Sequence, residues 1–214
     1  MTNYNKTKLI NYSNYNNTFF SRWAWLYDLE KYFLFPFRRK SAQFLDITPP
    51  KKIIDVATGT GALAYELAIF GHDVIGIDLS PEMLAQARKK LSQNLKLKFQ
   101  QADGTKLPFK DGTFDAASIS WGIHDMPYEI GIKVLKEMKR VIKKNGMILI
   151  VDYIDAKKHY PARLTQFLIN LYETKNYKPF ITKGMGTYIK EAGLKTVKKS
   201  EYLDIWQMLV VEKK

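Results

Sequence analysis

The chain has 214 residues and a mass of 24.9 kDa, the size of one ordinary domain. Hydrophobic residues make up 46 % and charged residues 26 %, the balance of a folded globular protein. Cysteine is absent, which excludes disulfides, Cys-ligated zinc, iron–sulfur clusters and a thiol nucleophile. Three scattered histidines predict no metal site. With no long apolar run and no apolar signal segment, the expected location is the cytoplasm.

Positive charge is concentrated in the last part of the chain. Lys and Arg number 34 against 21 Asp and Glu, a formal net charge of +13. Residues 157–214 carry 12 basic and 5 acidic side chains, which is +7 of that total. Such an excess favours an anionic partner, either a membrane surface contacted peripherally or a nucleic acid. A solvated lysine-rich surface explains the same charge equally well.

The N-terminal part is predicted to be a flexible tail followed by a helical lid, together spanning residues 1–50. Nine aromatic residues fall between positions 19 and 37, and their spacing predicts an amphipathic helix that ends at Pro36. A second short helix is predicted over 38–45. The aromatic helix suits either core packing or a lid over a cofactor pocket, with Tyr27 facing the ligand.

From residue 51 onward strands and helices alternate, and residues 51–214 are predicted to form one domain. Alternation of this kind predicts an α/β fold with a doubly wound, mostly parallel sheet of seven strands and helices on both faces. A segment at about 157–190 is predicted to vary with the substrate. The predicted strands are 53–57, 73–77, 96–101, 114–120, 147–152, 194–200 and 205–212, and the predicted helices are 62–70, 81–91, 129–142 and 162–173.

A glycine-containing loop follows the first predicted strand. It reads Asp55-Val-Ala-Thr-Gly-Thr-Gly61, and its glycines allow the backbone to approach a ligand at the carboxyl end of the sheet. Asp78 ends the second strand, where a carboxylate can accept both hydroxyls of a ribose. This pattern fits nicotinamide cofactors and S-adenosylmethionine alike. A Tyr153-x-x-x-Lys157 pair matches the short-chain dehydrogenases, but their glycine pattern is absent.

Polar residues at three other strand ends favour S-adenosylmethionine. Asp55 precedes the glycines, where methyltransferases usually carry an acid near the methionine part of the cofactor. Asp103 and Gly104 follow the third strand, where the carboxylate could accept from an adenine amino group. The fourth strand ends in Ser120-Trp121-Gly-Ile-His124-Asp125.

The chain resembles class I S-adenosylmethionine-dependent methyltransferases, and among them the ubiquinone/menaquinone-biosynthesis C-methyltransferases. The shared motifs are the loop at 55–61, Leu-Pro-Phe-x-Asp-x-x-Phe-Asp at 107–115, the strand-four tail at 119–123 and the Tyr27-Asp28 pair. The resemblance covers residues 51–155, about half of the chain. It implies a Rossmann-like fold, S-adenosylmethionine as cofactor, and contacts to it at Thr60, Asp78, Asp103, Gly104 and Ser120.

The motifs give a set of candidate site residues. For cofactor binding these are Tyr27, Asp55, Thr58, Gly59, Thr60, Gly61, Asp78, Leu79, Asp103, Gly104, Ser120 and Trp121. For catalysis they are His124 and Asp125, which stand where the resembling family usually has Arg-Asn. Imidazole is a suitable general base near neutral pH. A structural role for His124, capping the strand or bonding the next turn, is the alternative.

The function predicted from these residues is methyl transfer to a small-molecule or lipid-like acceptor, such as a quinol or a phospholipid head group. An RNA methyltransferase is one alternative, motivated by the charge, although no RNA-binding module is recognisable. A non-catalytic S-adenosylmethionine-binding protein is the other. The sequence leaves open the acceptor, the choice among C-, N- and O-methylation, and the oligomeric state.

Overall fold

The computed structural model describes residues 31–156, 164–167, 169 and 174–214, with side chains from Pro36 onward. Tyr27, Asp28 and most of the predicted tail and lid lie outside these residues, as does most of the predicted helix over 162–173. Residues 164–167 and 169 of that helix are helical. The chain forms two compact units, Met1–Pro108 and Phe109–Lys214.

The fold is α/β and Rossmann-like, with a mostly parallel seven-stranded sheet in the order β3-β2-β1-β4-β5-β7-β6. The strands are β1 (Lys52–Val56), β2 (Asp73–Asp78), β3 (Leu97–Gln101), β4 (Phe114–Ser120), β5 (Ile142–Tyr153), β6 (Leu194–Tyr202) and β7 (Trp206–Lys213). The helices are α1 (Lys31–Phe44), α2 (Ala62–Ile69), α3 (Pro81–Arg88), α4 (Tyr128–Val141), α5 (Tyr177–Lys183) and α6 (Met185–Glu191). These bounds confirm the predicted fold class.

The first unit is built on three parallel strands. Val74 of β2 is the register partner of Ile53 on one side and of Leu97 on the other. The middle of β1 is completely buried, as expected for a parallel strand covered on both faces. Helix α3 begins as its sequence predicts: Ser80 is the N-cap, its Oγ accepts from the amide of Met83 at 3.2 Å, and Pro81 takes the first helical position.

Helix α1 corrects one prediction, because Pro36 does not end it. The helix runs from Lys31 to Phe44 as one element with the proline inside. A proline cannot donate the amide hydrogen bond to the carbonyl four residues earlier, so the expected cost is one lost bond and some strain. Burial offsets this cost: Phe37 and Ala42 are almost completely buried, and α1 packs on α2.

The second unit contains the antiparallel part of the sheet. Strand β5 pairs in parallel with β4, whereas β7 runs antiparallel to both β5 and β6. Strand β5 begins at Ile142, earlier than the predicted start at 147, because Ile142 pairs with Phe114 ahead of a register shift. The four residues 143–146 bulge between the paired residues on either side, so Asn145-Gly146, a pair typical of turns, lies inside the strand.

Two short helices, α5 and α6, occupy the end of the predicted substrate segment and were not foreseen. Gly184, with φ +72°, separates them and lets the chain change direction. Both helices bury aromatic side chains, with Tyr177, Phe180 and Tyr188 each about 1 % exposed. Within the described ranges of the chain, no helix is both long and apolar enough to cross a bilayer.

Gly76 provides a test of packing in the first unit. A Cβ added there would lie 2.7 Å from the ring of Phe99 and 2.8 Å from Thr58 Oγ1. Gly76→Ala is therefore expected to lower the free energy of unfolding by about 1–3 kcal/mol, measured by denaturant titration. Gly186→Ala is the matched control, since nothing lies within 4 Å of the added atom in α6 and alanine favours a helix. Equal stability of the two variants would contradict this packing.

Candidate functional site

In the first unit, the carboxylate of Asp78 joins the glycine loop to the start of α3. Its Oδ2 accepts from the amide of Gly59 at 2.8 Å, and its Oδ1 accepts from the amide of Ser80 at 2.9 Å. Each oxygen retains capacity for a further donor. Burial raises the pKa of the Asp78 carboxyl above its ordinary value, and the amides of Ser80, Gly59 and Leu79 oppose that shift. Leu79 is half-buried beside it.

The glycines of the loop have different tasks. Gly59 has φ +55° and open space where a Cβ would point, so the backbone there is accessible to a ligand. Gly61 has φ +76°, but a Cβ there would lie 2.5 Å from Phe99. The space that a side chain at Gly61 would need is therefore occupied by the ring of Phe99. Ala57 in the same loop also adopts a positive φ, of 53°. For a residue with a Cβ this backbone conformation costs about 1–2 kcal/mol, so the loop is strained.

Asp55 holds the loop from the interior. It is completely buried, and its Oδ2 accepts from Thr58 Oγ1 at 2.6 Å. The amide of Thr58 in turn donates to the carbonyl of Ile77 at 2.9 Å, which links the loop to β2. Thr60 is buried, and its carbonyl accepts from Lys90 Nζ at 2.8 Å. Asp55, Thr58 and Thr60 thus lie together in the loop, and their described bonds stabilise it.

Asp103 lies after β3 on an exposed turn. Its Oδ1 accepts from both the amide and the hydroxyl of Thr105, each at 2.8 Å, which fixes the carboxyl group in place. The neighbouring Ala102 donates its amide to the carbonyl of Asp78 at 3.1 Å, so the turn is tied to the end of β2. Gly104 is half-buried in the same turn. The sequence placed these residues correctly at the carboxyl end of β3.

In the second unit, the tail of β4 carries Ser120 and Trp121, both half-buried. Trp121 adopts φ +48°, and its amide donates to the carbonyl of Val151 at 2.8 Å. Its ring meets Trp206 edge-on, with the centroids 6.1 Å apart. A bulky residue at positive φ is unusual, and such strain concentrates at functional sites.

His124 lies buried between two carboxylates a few residues further on. Its Nδ1 is 2.7 Å from Asp152 Oδ1, and its Nε2 is 3.4 Å from Asp125 Oδ2. The residue is only 3 % exposed, and its ring has aromatic neighbours on several sides, with centroids 4.8 Å away at Tyr153 and 6.1 Å at Tyr177. Both catalytic candidates are thus brought together, in an enclosed site.

Asp152 is the functional candidate that the sequence analysis missed. It ends the apolar run of β5 and is completely buried. An acid at the end of a buried parallel strand was the available signal, the same one that identified Asp78. Across the described parts of the chain, no cluster of three or more His, Asp or Glu could hold a metal ion.

The fold is shared with solved structures of a class described as SAM-dependent methyltransferases. One solved structure of this class, a SAM-dependent methyltransferase of Thermotoga maritima described as a possible histamine N-methyltransferase, has a TM-score of 0.67. It is 20 % identical, and the match covers 92 % of this chain and 99 % of that one. At this identity the likeness shows the fold.

Sequence comparisons find relatives of higher identity than this solved structure. Residues 53–146 match the family model described as "Methyltransferase domain". The demethylmenaquinone methyltransferase of Thermus thermophilus is 39 % identical over 120 residues, which is 54 % of this chain and 53 % of the relative. The ubiquinone/menaquinone biosynthesis C-methyltransferase UbiE of Citrifermentans bemidjiense is 37 % identical over 122 residues, which is 54 % of this chain and 51 % of the relative. The chain spans about half the length of these curated relatives.

The residues of the first unit fit S-adenosylmethionine, the cofactor of this class. The open face of Gly59 leaves room for a ligand against the backbone. The two oxygens of Asp78, each oriented by an amide, suit a pair of neighbouring hydroxyls such as those of a ribose. This pair of hydrogen-bond acceptors is typical of a nucleoside site.

Removal of the Asp78 carboxylate tests that fit. Asp78→Ala is expected to weaken S-adenosylmethionine binding by about 1.5–3 kcal/mol, roughly 10- to 150-fold in Kd, because two hydroxyl acceptors are lost. Isothermal titration calorimetry measures the effect. Asp73→Ala is the matched control, since it changes an acid at the opposite end of the same strand. Tight NADH binding without any response to S-adenosylmethionine would overturn the assignment.

Proposed function

We propose that this chain transfers a methyl group from S-adenosylmethionine to a quinol-type small-molecule acceptor. The observation that carries the proposal is the similarity to demethylmenaquinone methyltransferases, at 39 % identity for the Thermus thermophilus relative. The family match at 53–146 includes both the glycine loop and Asp78. A quinol is an aromatic ring with hydroxyl groups, and it becomes a better nucleophile when a hydroxyl loses its proton.

Each candidate residue has a role in this proposal. When bound, S-adenosylmethionine supplies an electrophilic methyl group whose bond to sulfur breaks as the bond to the acceptor forms. Asp78 would hold the ribose hydroxyls, and Asp103 would accept from the adenine amino group. Gly59 gives the backbone room for the ligand. Tyr27, Ser120 and Trp121 stay proposed contacts to the cofactor.

His124 is the proposed proton acceptor, and Asp125 its proposed catalytic neighbour. The reaction needs one proton to leave the acceptor, and a neutral imidazole nitrogen can take it. The Nε2 atom is the candidate, because Nδ1 already bonds Asp152 at 2.7 Å. After transfer, the products are the methylated acceptor and S-adenosylhomocysteine, with the proton on His124.

The choice of acceptor is tested by following the methyl label. Cell extract is incubated with the chain and methyl-labelled S-adenosylmethionine, with and without added demethylated quinol, and separated into lipid, RNA and protein fractions. We expect label in the lipid fraction, increased by the quinol. Asp78→Ala serves as the control for enzyme-dependent transfer. Label found in RNA alone would favour the RNA methyltransferase, and binding without transfer in any fraction would favour a non-catalytic protein.

The base role of His124 predicts a loss of turnover without a loss of cofactor affinity. His124→Ala is expected to lower kcat by about 10²–10⁴-fold, the usual contribution of a general base. Calorimetry of S-adenosylmethionine should give a nearly unchanged Kd. His72→Ala is the matched control, a buried histidine in the turn before β2. Retention of most turnover at saturating acceptor would place the base elsewhere.

Peripheral contact with an anionic membrane is the second part of the proposal. A lipid-like acceptor lies at a membrane, and residues 157–214 carry the +7 excess. In the same stretch, Leu164 and Phe167 are 52 % and 59 % exposed one helical turn apart. Apolar side chains beside basic charge are the features of an interfacial helix.

Vesicle co-sedimentation tests the membrane contact. Binding is expected to anionic vesicles and to fall steeply as salt rises, because exposed charges are screened beyond about 8 Å at physiological ionic strength. The double variant Leu164→Ser, Phe167→Ser should bind less, whereas Val197→Ser, which changes an exposed residue of β6, should bind normally. Equal binding to neutral and anionic vesicles at low salt would contradict the electrostatic part. Preferential binding to RNA would favour a nucleic-acid partner instead.

A further inference from the structure

Asp152 is the best-connected buried carboxylate among the described hydrogen bonds of the second unit. Its Oδ2 accepts from the amides of Ile123 and His124, at 3.1 and 3.3 Å. Its Oδ1 accepts from the amide of Tyr153 at 2.9 Å and lies 2.7 Å from His124 Nδ1. Three amide donors mark this group as an acceptor, so the imidazole atom facing it is the fourth donor.

We propose that Asp152 is a positioning residue that fixes His124 in the tautomer with its proton on Nδ1, which leaves Nε2 as the proton-accepting atom. The inference rests on the base role of His124 in the proposed function. A buried carboxylate that binds the far nitrogen of an imidazole sets both its tautomer and its orientation. Because the same carboxylate also binds the amide of His124, it fixes the backbone of the residue as well as its ring.

The side of the ring that carries Nε2 suits the protonated, positively charged form of His124. Nε2 lies 3.4 Å from Asp125 Oδ2, longer than the contact at Nδ1. Two acceptor atoms gain nothing from that approach until a proton lies on Nε2. Asp125 thus stabilises the imidazolium formed when His124 takes the proton. The backbone of Asp125 is fixed by a hydrogen bond, because its carbonyl accepts from Asn176 Nδ2 at 2.6 Å.

The remaining neighbours of the ring limit its movement. Tyr153, Tyr177 and Phe180 contact it edge-on, with interplanar angles of 79°, 82° and 65°. Tyr177 and Phe180 belong to α5, so one turn of that helix packs on the imidazole. The titratable groups described around His124 are Asp125, Asp152 and the hydroxyls of Tyr153 and Tyr177.

Nitrogen NMR of the full chain with ¹⁵N-labelled histidine tests the tautomer directly, without need of the reaction. His124→Gln assigns the signal among the three histidines. We expect the wild-type protein near pH 7 to show a proton on Nδ1 that exchanges slowly with water, and a bare Nε2. A proton on Nε2 alone, or protons on both nitrogens throughout the active pH range, would overturn the proposal.

Kinetics of Asp152→Asn give the functional test. An asparagine side chain presents both a donor and an acceptor, so it cannot reproduce four accepted bonds. We expect kcat to fall by about 10²-fold or more, with KM for the acceptor nearly unchanged and with the acid limb of the rate–pH profile altered. Asp115→Asn is the matched control, because Asp115 pairs with the exposed Lys143 at 2.7 Å. A variant that loses stability but keeps kcat and the pH profile would show a purely structural role.

The two experiments separate failure of this inference from failure of the proposed function. A proton on Nδ1 together with full turnover in His124→Ala would overturn the base role, and with it the part of Asp152 in the reaction. A proton on Nε2 together with a large loss in His124→Ala would overturn the positioning by Asp152 alone. If Asp152→Asn does not fold, the wild-type spectrum still decides the tautomer.

Discussion

The carboxylate of Asp78 is the constraint on which the first unit depends. It stands at the carboxyl end of β2 and is bonded to the amides of Gly59 and Ser80, so one side chain ties the middle of the glycine loop to the N-cap of α3. Asp55 supports the same loop from inside through Thr58. Two buried or half-buried acids are costly unless their oxygens are bonded, and here the loop supplies the donors. The groups that shape the loop are therefore the same ones that the proposed cofactor site would use.

The second unit also contains a buried carboxylate, that of Asp152 at the end of β5. A fully buried carboxylate would be strongly destabilising alone, but Asp152 has three amides and an imidazole around it. Such a network is sensitive to any missing partner, because the groups left behind remain buried. The residues around His124 thus make it both a structural element of the loop after β4 and a group of defined orientation. These two roles belong to one arrangement of bonds.

Local patterns predicted most of the fold, and contacts distant in sequence explain what they missed. The apolar strands, the Ser80 cap and the acids at strand ends follow from spacing that short segments display. Pro36 remained inside a helix because burial of neighbours outweighed its local preference. The bond from His124 to Asp152 joins residues 28 apart, so neither residue alone could predict it. The strained Trp121 likewise depends on Val151 of another strand.

Strand β6 ends the sheet, and its composition has a consequence for solubility. An outer strand presents unpaired peptide groups that another chain can join, and nine residues make this one long. Along it, Lys195 and Lys199 are about half exposed, with Lys198 exposed between them. A second copy pairing edge to edge would have to desolvate these ammonium groups, including those of Lys195 and Lys199, which pair with Glu212 and Glu201 at 2.9 and 2.8 Å. The same lysines that raise the charge of the chain therefore discourage it from growing into fibres.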